Sequence, residues 1–223
     1  MDRHDCAWAE LYLFDLDGTL ADTKRDLSDA VNRTFEELGL APLPVDVVAG
    51  YVGDGIRKLI ARALGENDTP RYRDAVARFR EHYLAHLLDT TRFYPGIEPL
   101  LTRLARDGKK LAVVTNKPIE YTDKIIDGLG VRGRFDLVIG SDTTTRLKPD
   151  PQLLQYALEK TGAPAARTVM VGDGVNDIVA ARAAAVRSCA VGFGLTPPDV
   201  LRRAEPDYFC LDMDELTRCL CSG

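Results

Sequence analysis

Two carboxylates stand two residues apart, directly after an apolar run, in the segment LFDLDGTL at residues 13–20. If the run is a strand of a parallel sheet, Asp15 and Asp17 follow its carboxyl end, where such sheets bind ligands. Carboxylates this close repel each other, and Mg²⁺, which prefers oxygen ligands, would offset their charge. One acid can then serve as a nucleophile while the other transfers protons. An ordinary turn after a strand needs only one Asp, so that alternative leaves the second acid unexplained.

A second pair of acids follows another apolar run, in the segment VMVGDGVND at residues 169–177. Glycines on both sides of Asp173 permit a tight turn, and Asp177 can face the same pocket from the first turn of a helix. Taken alone, the pattern also fits a helix-capping Asp followed by a solvated one. Because two acids already follow another strand, we expect this pair to complete a Mg²⁺ site.

Three more polar residues follow apolar segments or precede helices in the same way. Thr115 and Asn116 end an apolar run and offer neutral donors for phosphate oxygens, although the same pair is typical of a helix cap. Lys148 precedes Pro149, which keeps the lysine in a rigid, non-helical segment. Most such lysines are solvated, but near carboxylates and a phosphoryl group a fixed cation would balance charge.

Charge and composition argue against several classes of function. The 223 residues hold 29 basic and 34 acidic side chains, a net charge of −5, so nucleic acid and membrane are not expected partners. The first ten residues lack the apolar segment of a secretory signal, and no apolar run approaches the roughly 18 residues of a membrane span. Five cysteines without a C-x-x-C pair argue against a disulfide framework or a zinc ribbon. We expect a cytoplasmic protein, either a monomer or a homodimer.

Short apolar runs that alternate with helical patterns predict an α/β fold with a parallel sheet. The predicted strands are residues 11–16, 110–115, 137–139, 168–171, 189–191 and 208–211. Residues 22–89 break the alternation because they hold helical patterns only. We therefore expect a helical cap domain at residues 22–89, inserted into a discontinuous core of residues 1–21 and 90–223.

The four motifs together resemble the ordered motifs of the haloacid-dehalogenase superfamily, and their spacing covers essentially the whole chain. Within it, the helical block resembles the cap of the phosphoglycolate-phosphatase-like enzymes, through GLAPLP at residues 39–44, VGDG at 52–55 and FYPG at 93–96. The resemblance implies a Rossmann-like parallel-sheet core with an inserted all-helical cap. It also implies a Mg²⁺-dependent phosphomonoester hydrolase that acts on a small phosphorylated metabolite.

The resemblance further implies a role for each motif residue. Asp15 would attack phosphorus and form an aspartyl-phosphate, while Asp17 would protonate the leaving oxygen and then deprotonate the hydrolytic water. The metal ligands that it implies are Asp15, the backbone carbonyl of Asp17 and Asp173, with Asp177 binding the metal either directly or through water. The residues that it implies around the phosphoryl group are Gly18, Thr19, Thr115, Asn116 and Lys148.

The choice of substrate is less constrained than the reaction. The resemblance favours 2-phosphoglycolate, but core motifs that contact only the phosphoryl group also allow N-acetylmuramic acid 6-phosphate or another sugar phosphate, pyrophosphate, or a phosphomutase reaction. A non-catalytic sensor of phosphorylated ligands is disfavoured by the complete set of acids. A dehalogenase is disfavoured because halide displacement needs neither Mg²⁺ nor an acid at position 17. In the cap, Arg57 and Lys58 would either meet a substrate carboxylate or be solvated on a helix.

Overall fold

The computed structural model describes residues 6–221, which contain a six-stranded parallel sheet of order β5-β4-β1-β6-β7-β8 and a separate two-stranded pair of β2 and β3. The strands are β1 (Leu11–Phe14), β2 (Ala21–Asp22), β3 (Arg92–Phe93), β4 (Lys110–Val114), β5 (Leu137–Ile139), β6 (Thr168–Gly172), β7 (Arg187–Val191) and β8 (Tyr208–Cys210). Each predicted strand is present, and the predicted parallel α/β core is confirmed.

Helices cover the sheet and also form the block between β2 and β3. The helices are α1 (Lys24–Glu37), α2 (Val45–Ala49), α3 (Ile56–Leu64), α4 (Pro70–His86), α5 (Ile97–Arg106), α6 (Ile119–Gly128), α7 (Gln152–Thr161), α8 (Val175–Ala183), α9 (Pro198–Arg203) and α10 (Met213–Cys221). The first four follow one another without a strand, as the helical patterns predicted. The short helix α2 was not predicted, because its five residues are too few to give a periodic signal.

Strand β1 is the centre of the sheet and fixes the position of its neighbours. Tyr12 and Phe14 belong to one buried cluster, whereas Leu11 and Leu13 belong to another on the opposite face. Both faces are therefore covered, as is usual for a parallel sheet. Strands β4 and β6 flank β1 in register, with Leu11 opposite Lys110 and Thr168. The carboxyl ends of these three strands consequently meet at one edge.

The chain crosses between the core and the helical block through the antiparallel pair β2–β3, which the sequence analysis did not predict. Ala21 pairs with Phe93 and Asp22 with Arg92. Strands of two residues carry no alternation, so no sequence signal marks them. The predicted boundaries of core and cap stay a prediction, and the two ends of the core, residues 1–5 and 222–223, lie outside the described residues.

The cysteines are core residues in this fold. All five are buried and free, and the sulfur atoms of Cys6, Cys189 and Cys219 lie within 4.8 Å of one another. All five belong to one buried apolar cluster, to which β7, β8 and α10 contribute four of them. Among residues 6–221, no helix is both long and apolar enough to cross a membrane. The expectation about a secretory signal concerns the first ten residues, of which 1–5 lie outside the described range.

Candidate active site

Three carboxylates converge at the carboxyl edge of the sheet. Asp15 directly follows β1, Asp173 directly follows β6, and Asp177 lies in the first turn of α8. One oxygen of each carboxylate lies within 4.8 Å of the others. Asp173 and Asp177 are buried, whereas Asp15 is partly exposed and faces the space beneath the helical block. The structure thus brings together three of the four acids that the sequence assigned to a metal.

Two glycines let the backbone approach Asp173 from both sides. A Cβ atom on Gly18, whose φ is +80°, would lie 2.1 Å from Asp173 Oδ2, and one on Gly194 would lie 2.3 Å from Asp173 Cβ. Any side chain at either position would therefore displace the carboxylate. The Thr19 hydroxyl donates to Asp173 Oδ1 over 3.0 Å, and the Leu195 N–H donates to Oδ2 over 2.7 Å. Thr19 was expected near the phosphoryl group, but here its hydroxyl orients a carboxylate.

The three clustered carboxylates carry more negative charge than the neighbouring protein groups offset. Burial, followed by the charges of Asp15 and Asp177, raises the pKa of Asp173 to about 8. Burial also raises the pKa of Asp177 to about 6, with Lys148 opposing and Asp15 adding to the shift. Protein groups alone therefore leave the negative charge of this cluster only partly compensated. Buried, convergent oxygen ligands of this kind fit Mg²⁺, so the donor set is chemically suited to the predicted metal.

Lys148 supplies the fixed cation that the sequence suggested. Its buried ammonium donates to the Val114 carbonyl over 2.7 Å and to Asp177 Oδ1 over 2.6 Å, and it lies 3.2 Å from Asp15 Oδ1. Burial lowers the pKa of Lys148, but the charges of Asp15 and Asp177 outweigh it and raise the pKa overall. Lys148 therefore stays charged and uses all three donors to join two of the carboxylates to β4.

The fourth acid, Asp17, turns its carboxylate away from the other three. Its Oδ1 accepts a hydrogen bond of 2.5 Å from the Thr23 hydroxyl, and its Oδ2 lies 2.9 Å from the ammonium of Lys117. A metal role for Asp17 would therefore fall to its backbone carbonyl, as the family resemblance implies. The N–H of Gly18 donates to the Ala21 carbonyl over 3.0 Å, so in this structure it points into the turn and not towards an anion.

Thr115 and Asn116 follow β4 at the same edge, and both are buried. The Asn116 amide donates to the Gly53 carbonyl over 2.9 Å and to the Lys148 carbonyl over 2.8 Å, and its oxygen accepts from the Lys148 N–H over 2.9 Å. Its side chain therefore holds the Lys148 loop and the helical block together, and direct contact with a phosphoryl group would replace the Gly53 bond. Thr115 Oγ1 accepts from the Lys117 N–H, which leaves its own proton for a ligand.

The glycine loop of the helical block reaches the core, but the cation predicted beside it does not. The Asn176 amide on α8 donates to Asp54 Oδ1 over 3.0 Å, and Asp54 also pairs with Arg62. Arg57 is exposed and is not among the residues that line the cavity between the helical block and the sheet, described below. Its contact with the block is through its carbonyl, which accepts from the Tyr72 hydroxyl over 3.2 Å. The structure therefore supports the solvated alternative for Arg57.

A narrow cavity between the helical block and the sheet adjoins Asp15 and Asp17. Its lining residues are Asp15, Asp17, Leu27, Val52, Gly53, Gly55, Ile56, Leu59, Tyr83, Thr115, Asn116 and Lys117. Two of these, Lys117 and Tyr83, were missed as site residues. Lys117 directly follows the Thr115–Asn116 motif, and a third polar residue at one strand end was a signal that could have found it. Tyr83 gave no such signal, because its spacing from Phe79 matched an apolar helix face.

The comparisons with known proteins agree with this architecture. A model of the haloacid dehalogenase-like hydrolase family matches residues 12–191. A phosphoglycolate phosphatase of Colwellia psychrerythraea is 38% identical over 210 residues, 91% of this chain and 92% of that protein. One of Neisseria meningitidis is 39% identical over 211 residues, 91% of this chain and 90% of its own. The crystal structure of a predicted phosphoglycolate phosphatase from Haemophilus somnus superimposes with a TM-score of 0.88 at 27% identity, covering 95% of this chain and 97% of that one.

Fold and site together define a Rossmann-like α/β protein with an acidic centre at the carboxyl edge of its sheet and helices above that edge. The chain belongs to the haloacid dehalogenase-like hydrolase family.

Proposed function

We propose that this hydrolase is a Mg²⁺-dependent phosphatase that converts 2-phosphoglycolate to glycolate and phosphate. The observation that carries the proposal is that the four acids at the sheet edge have two different environments. Asp15 stands with Asp173 and Asp177 in a cluster suited to a divalent cation, whereas Asp17 stands apart on Thr23 and Lys117. Relatives named phosphoglycolate phosphatase, 38–39% identical over about nine-tenths of this chain, support the choice of substrate.

In the proposed reaction, a carboxylate oxygen of Asp15 attacks phosphorus. The new bond joins that oxygen to phosphorus, the ester P–O bond breaks, and Asp17 gives its proton to the departing glycolate oxygen. Water then attacks the phosphorus of the aspartyl-phosphate, Asp17 takes a proton from that water, and phosphate leaves with Asp15 restored. Two carboxylates of different surroundings suit these two tasks, since one must be a nucleophile and the other a proton carrier.

Charge on the phosphoryl oxygens is offset from two directions in this proposal. Mg²⁺, which Asp15, Asp173, Asp177 and the backbone carbonyl of Asp17 would hold, supplies positive charge next to those oxygens when bound. Lys148 supplies a second, permanently fixed charge 3.2 Å from Asp15 Oδ1. The free hydroxyl proton of Thr115 is available to a phosphoryl oxygen. These groups are already oriented in the folded protein, which lowers the cost of organising them during reaction.

The helical block excludes water from this chemistry in the proposed function. Its glycine loop bonds to Asn116 and Asn176 of the core through Gly53 and Asp54. We propose that residues 22–89 form the cap and that residues 1–21 and 90–223 form the core. The β2–β3 pair at the crossing supports this division. Free thiols at all five cysteines are consistent with the cytoplasmic location that we propose, and we propose a monomer or homodimer.

A substrate panel tests the proposed function. Purified protein would be assayed with Mg²⁺ for phosphate release from 2-phosphoglycolate, N-acetylmuramic acid 6-phosphate, a hexose phosphate and pyrophosphate. The proposal predicts the highest kcat/KM for 2-phosphoglycolate and loss of activity in EDTA. A preference for a hexose phosphate would reject 2-phosphoglycolate as the substrate but would still agree with a phosphatase reaction. Absence of phosphate release from every substrate would reject the phosphatase itself.

A further inference from the structure

Lys117 is a buried cation in the cavity that no step of the proposed phosphoryl transfer uses. Its ammonium lies 2.9 Å from Asp17 Oδ2 and donates to the Tyr83 hydroxyl over 2.9 Å. An ammonium has three donors, and the bonds of the described residues account for two of them. Since Lys117 lines the cavity, a ligand there can take the third.

Tyr83 places a second donor beside Lys117. Its hydroxyl oxygen accepts the bond from Lys117, so its own proton remains to be donated, and none of the bonds in the described part of the chain uses that proton. Burial raises the pKa of Tyr83, so the hydroxyl stays protonated at neutral pH. Packing fixes the ring: Tyr83 is fully buried, stacks on Phe79 at 5.5 Å and meets Tyr121 edge-on at 5.5 Å.

Apolar side chains of the helical block also line the cavity next to Lys117 and Tyr83. Leu27, Ile56 and Leu59 line it together with Val52. A small ligand whose phosphoryl group lies at Asp15 would extend its leaving group past Asp17 into this space. There, the ammonium of Lys117, which already pairs with the Asp17 carboxylate, and the hydroxyl of Tyr83 each have a donor left for a ligand. Two donors beside apolar side chains, one of them charged, bind a carboxylate better than an uncharged hydroxyl.

We propose that Lys117 and Tyr83 bind the carboxylate of the leaving group and thereby select small phosphorylated carboxylic acids over phosphorylated alcohols. This inference rests on the proposed phosphatase function and assigns its specificity to two named side chains. The same ammonium also holds the Asp17 carboxylate, which protonates the leaving oxygen in the proposed reaction. Recognition of the carboxylate and orientation of the acid are then joined in one residue.

The test compares two substrates that differ in the carboxylate only. 2-Phosphoglycolate and 2-hydroxyethyl phosphate have similar size, and the ratio of their kcat/KM values measures carboxylate recognition. Because a hydrogen bond between two charged groups is stronger than one between neutral groups, we expect Lys117→Met to lower the ratio by about 10- to 100-fold. Tyr83→Phe, which removes one neutral donor and keeps the packed ring, is expected to lower it by about 3- to 10-fold. Lys110→Met, at an exposed lysine at the start of β4, is the matched control and should leave the ratio unchanged.

The ratio separates the inference from the function on which it rests. If Lys117 acts only through Asp17, or only in folding, both substrates lose activity equally and an unchanged ratio overturns the inference. If Lys117→Met does not fold, the test rests on Tyr83→Phe alone. An unchanged ratio of kcat/KM values in that variant then overturns the inference. Wild-type protein that hydrolyses neither substrate would instead reject the proposed function.

Discussion

Replacing Asp173 by Asn should stabilise the metal-free protein. The carboxyl group is buried beside Asp15 and Asp177, and its pKa rises from 3.8 to about 8 in the folded chain. Below about pH 4 the carboxyl is protonated in both the folded and the unfolded protein, so the raised pKa does not affect stability there. As the pH rises towards 8, the carboxyl ionises in the unfolded protein only, and the free energy of unfolding falls. Between the unfolded-state pKa of 3.8 and pH 7 lie about three pH units, each of which lowers the free energy of unfolding by about 1.4 kcal/mol, or about 4 kcal/mol in total.

Asn removes that cost but also weakens one of the two bonds that Asp173 accepts from Thr19 and Leu195. Because the raised pKa keeps the carboxyl of Asp173 mostly protonated at pH 7 in the folded protein, the weakened bond is one to a neutral group and costs about 0.5–1.5 kcal/mol. We therefore expect a net gain of about 2–3 kcal/mol at pH 7. For a chain of this length that gain corresponds to a Tm higher by about 5 °C. At pH 5 most of the charge penalty is gone, so the variant should gain little or no stability over the wild type.

The assay is thermal unfolding in EDTA at pH 5 and pH 7, followed by addition of Mg²⁺. Mg²⁺ should raise the Tm of the wild type and leave that of Asp173→Asn nearly unchanged, because the variant lacks one ligand of the site. Asp207→Asn is a control of opposite sign: bonds from Ser188 and Arg187 outweigh burial and lower the pKa of Asp207, so this variant should be destabilised. A lower Tm for Asp173→Asn in EDTA at pH 7, or a gain independent of pH, would refute the reasoning.

Three further predictions concern side chains other than the carboxylates of the proposed metal site. Asp26 accepts five hydrogen bonds from four donors of Thr90 and Thr91, where the chain re-enters the core. Asp26→Ala should therefore lower the free energy of unfolding in a denaturant titration by about 3 kcal/mol, and a loss below about 1 kcal/mol would contradict this. Asn176→Ala breaks the bond to Asp54 and should raise KM about 3- to 10-fold with kcat less affected, whereas a loss confined to kcat would argue against a closing contact. The five buried cysteines should resist a thiol reagent in the native protein and all react in denaturant; fast native labelling would show that the core opens.

The sheet and the positions of its acids could be predicted from sequence because the signals are local. Each strand of the core is an apolar run, and Asp15 and Asp173 follow such runs directly, so their meeting at one edge follows from parallel pairing alone. The block between β2 and β3 could be predicted as helical from periodicity, which extends over α1, α3 and α4. The family resemblance then supplied roles that residue types alone left open.

The parts that were missed depend on long-range geometry. The β2–β3 pair joins residues about 70 positions apart and is too short to carry a pattern. Lys117 and Tyr83 meet across the boundary between sheet and helical block, and neither position reveals the other. Arg57 was considered because charge is visible in a sequence, whereas the direction in which a helix turns that charge is not. The roles predicted for Thr19 and Asn116 at a ligand stay predictions, and no sequence signal marks the bonds that they donate to Asp173, Gly53 and Lys148.

The most direct test of the central claim is the steady-state rate of phosphate release from 2-phosphoglycolate by the wild type and by Asp15→Asn, each with Mg²⁺. The account predicts many turnovers by the wild type and a kcat lower by at least about 1000-fold in the variant, because the nucleophile is gone. Asp29→Asn, at a half-buried acid on α1 that pairs with Arg25, is the matched control and should retain full activity. Activity of Asp15→Asn within tenfold of the wild type would contradict the claim that Asp15 carries the phosphoryl group.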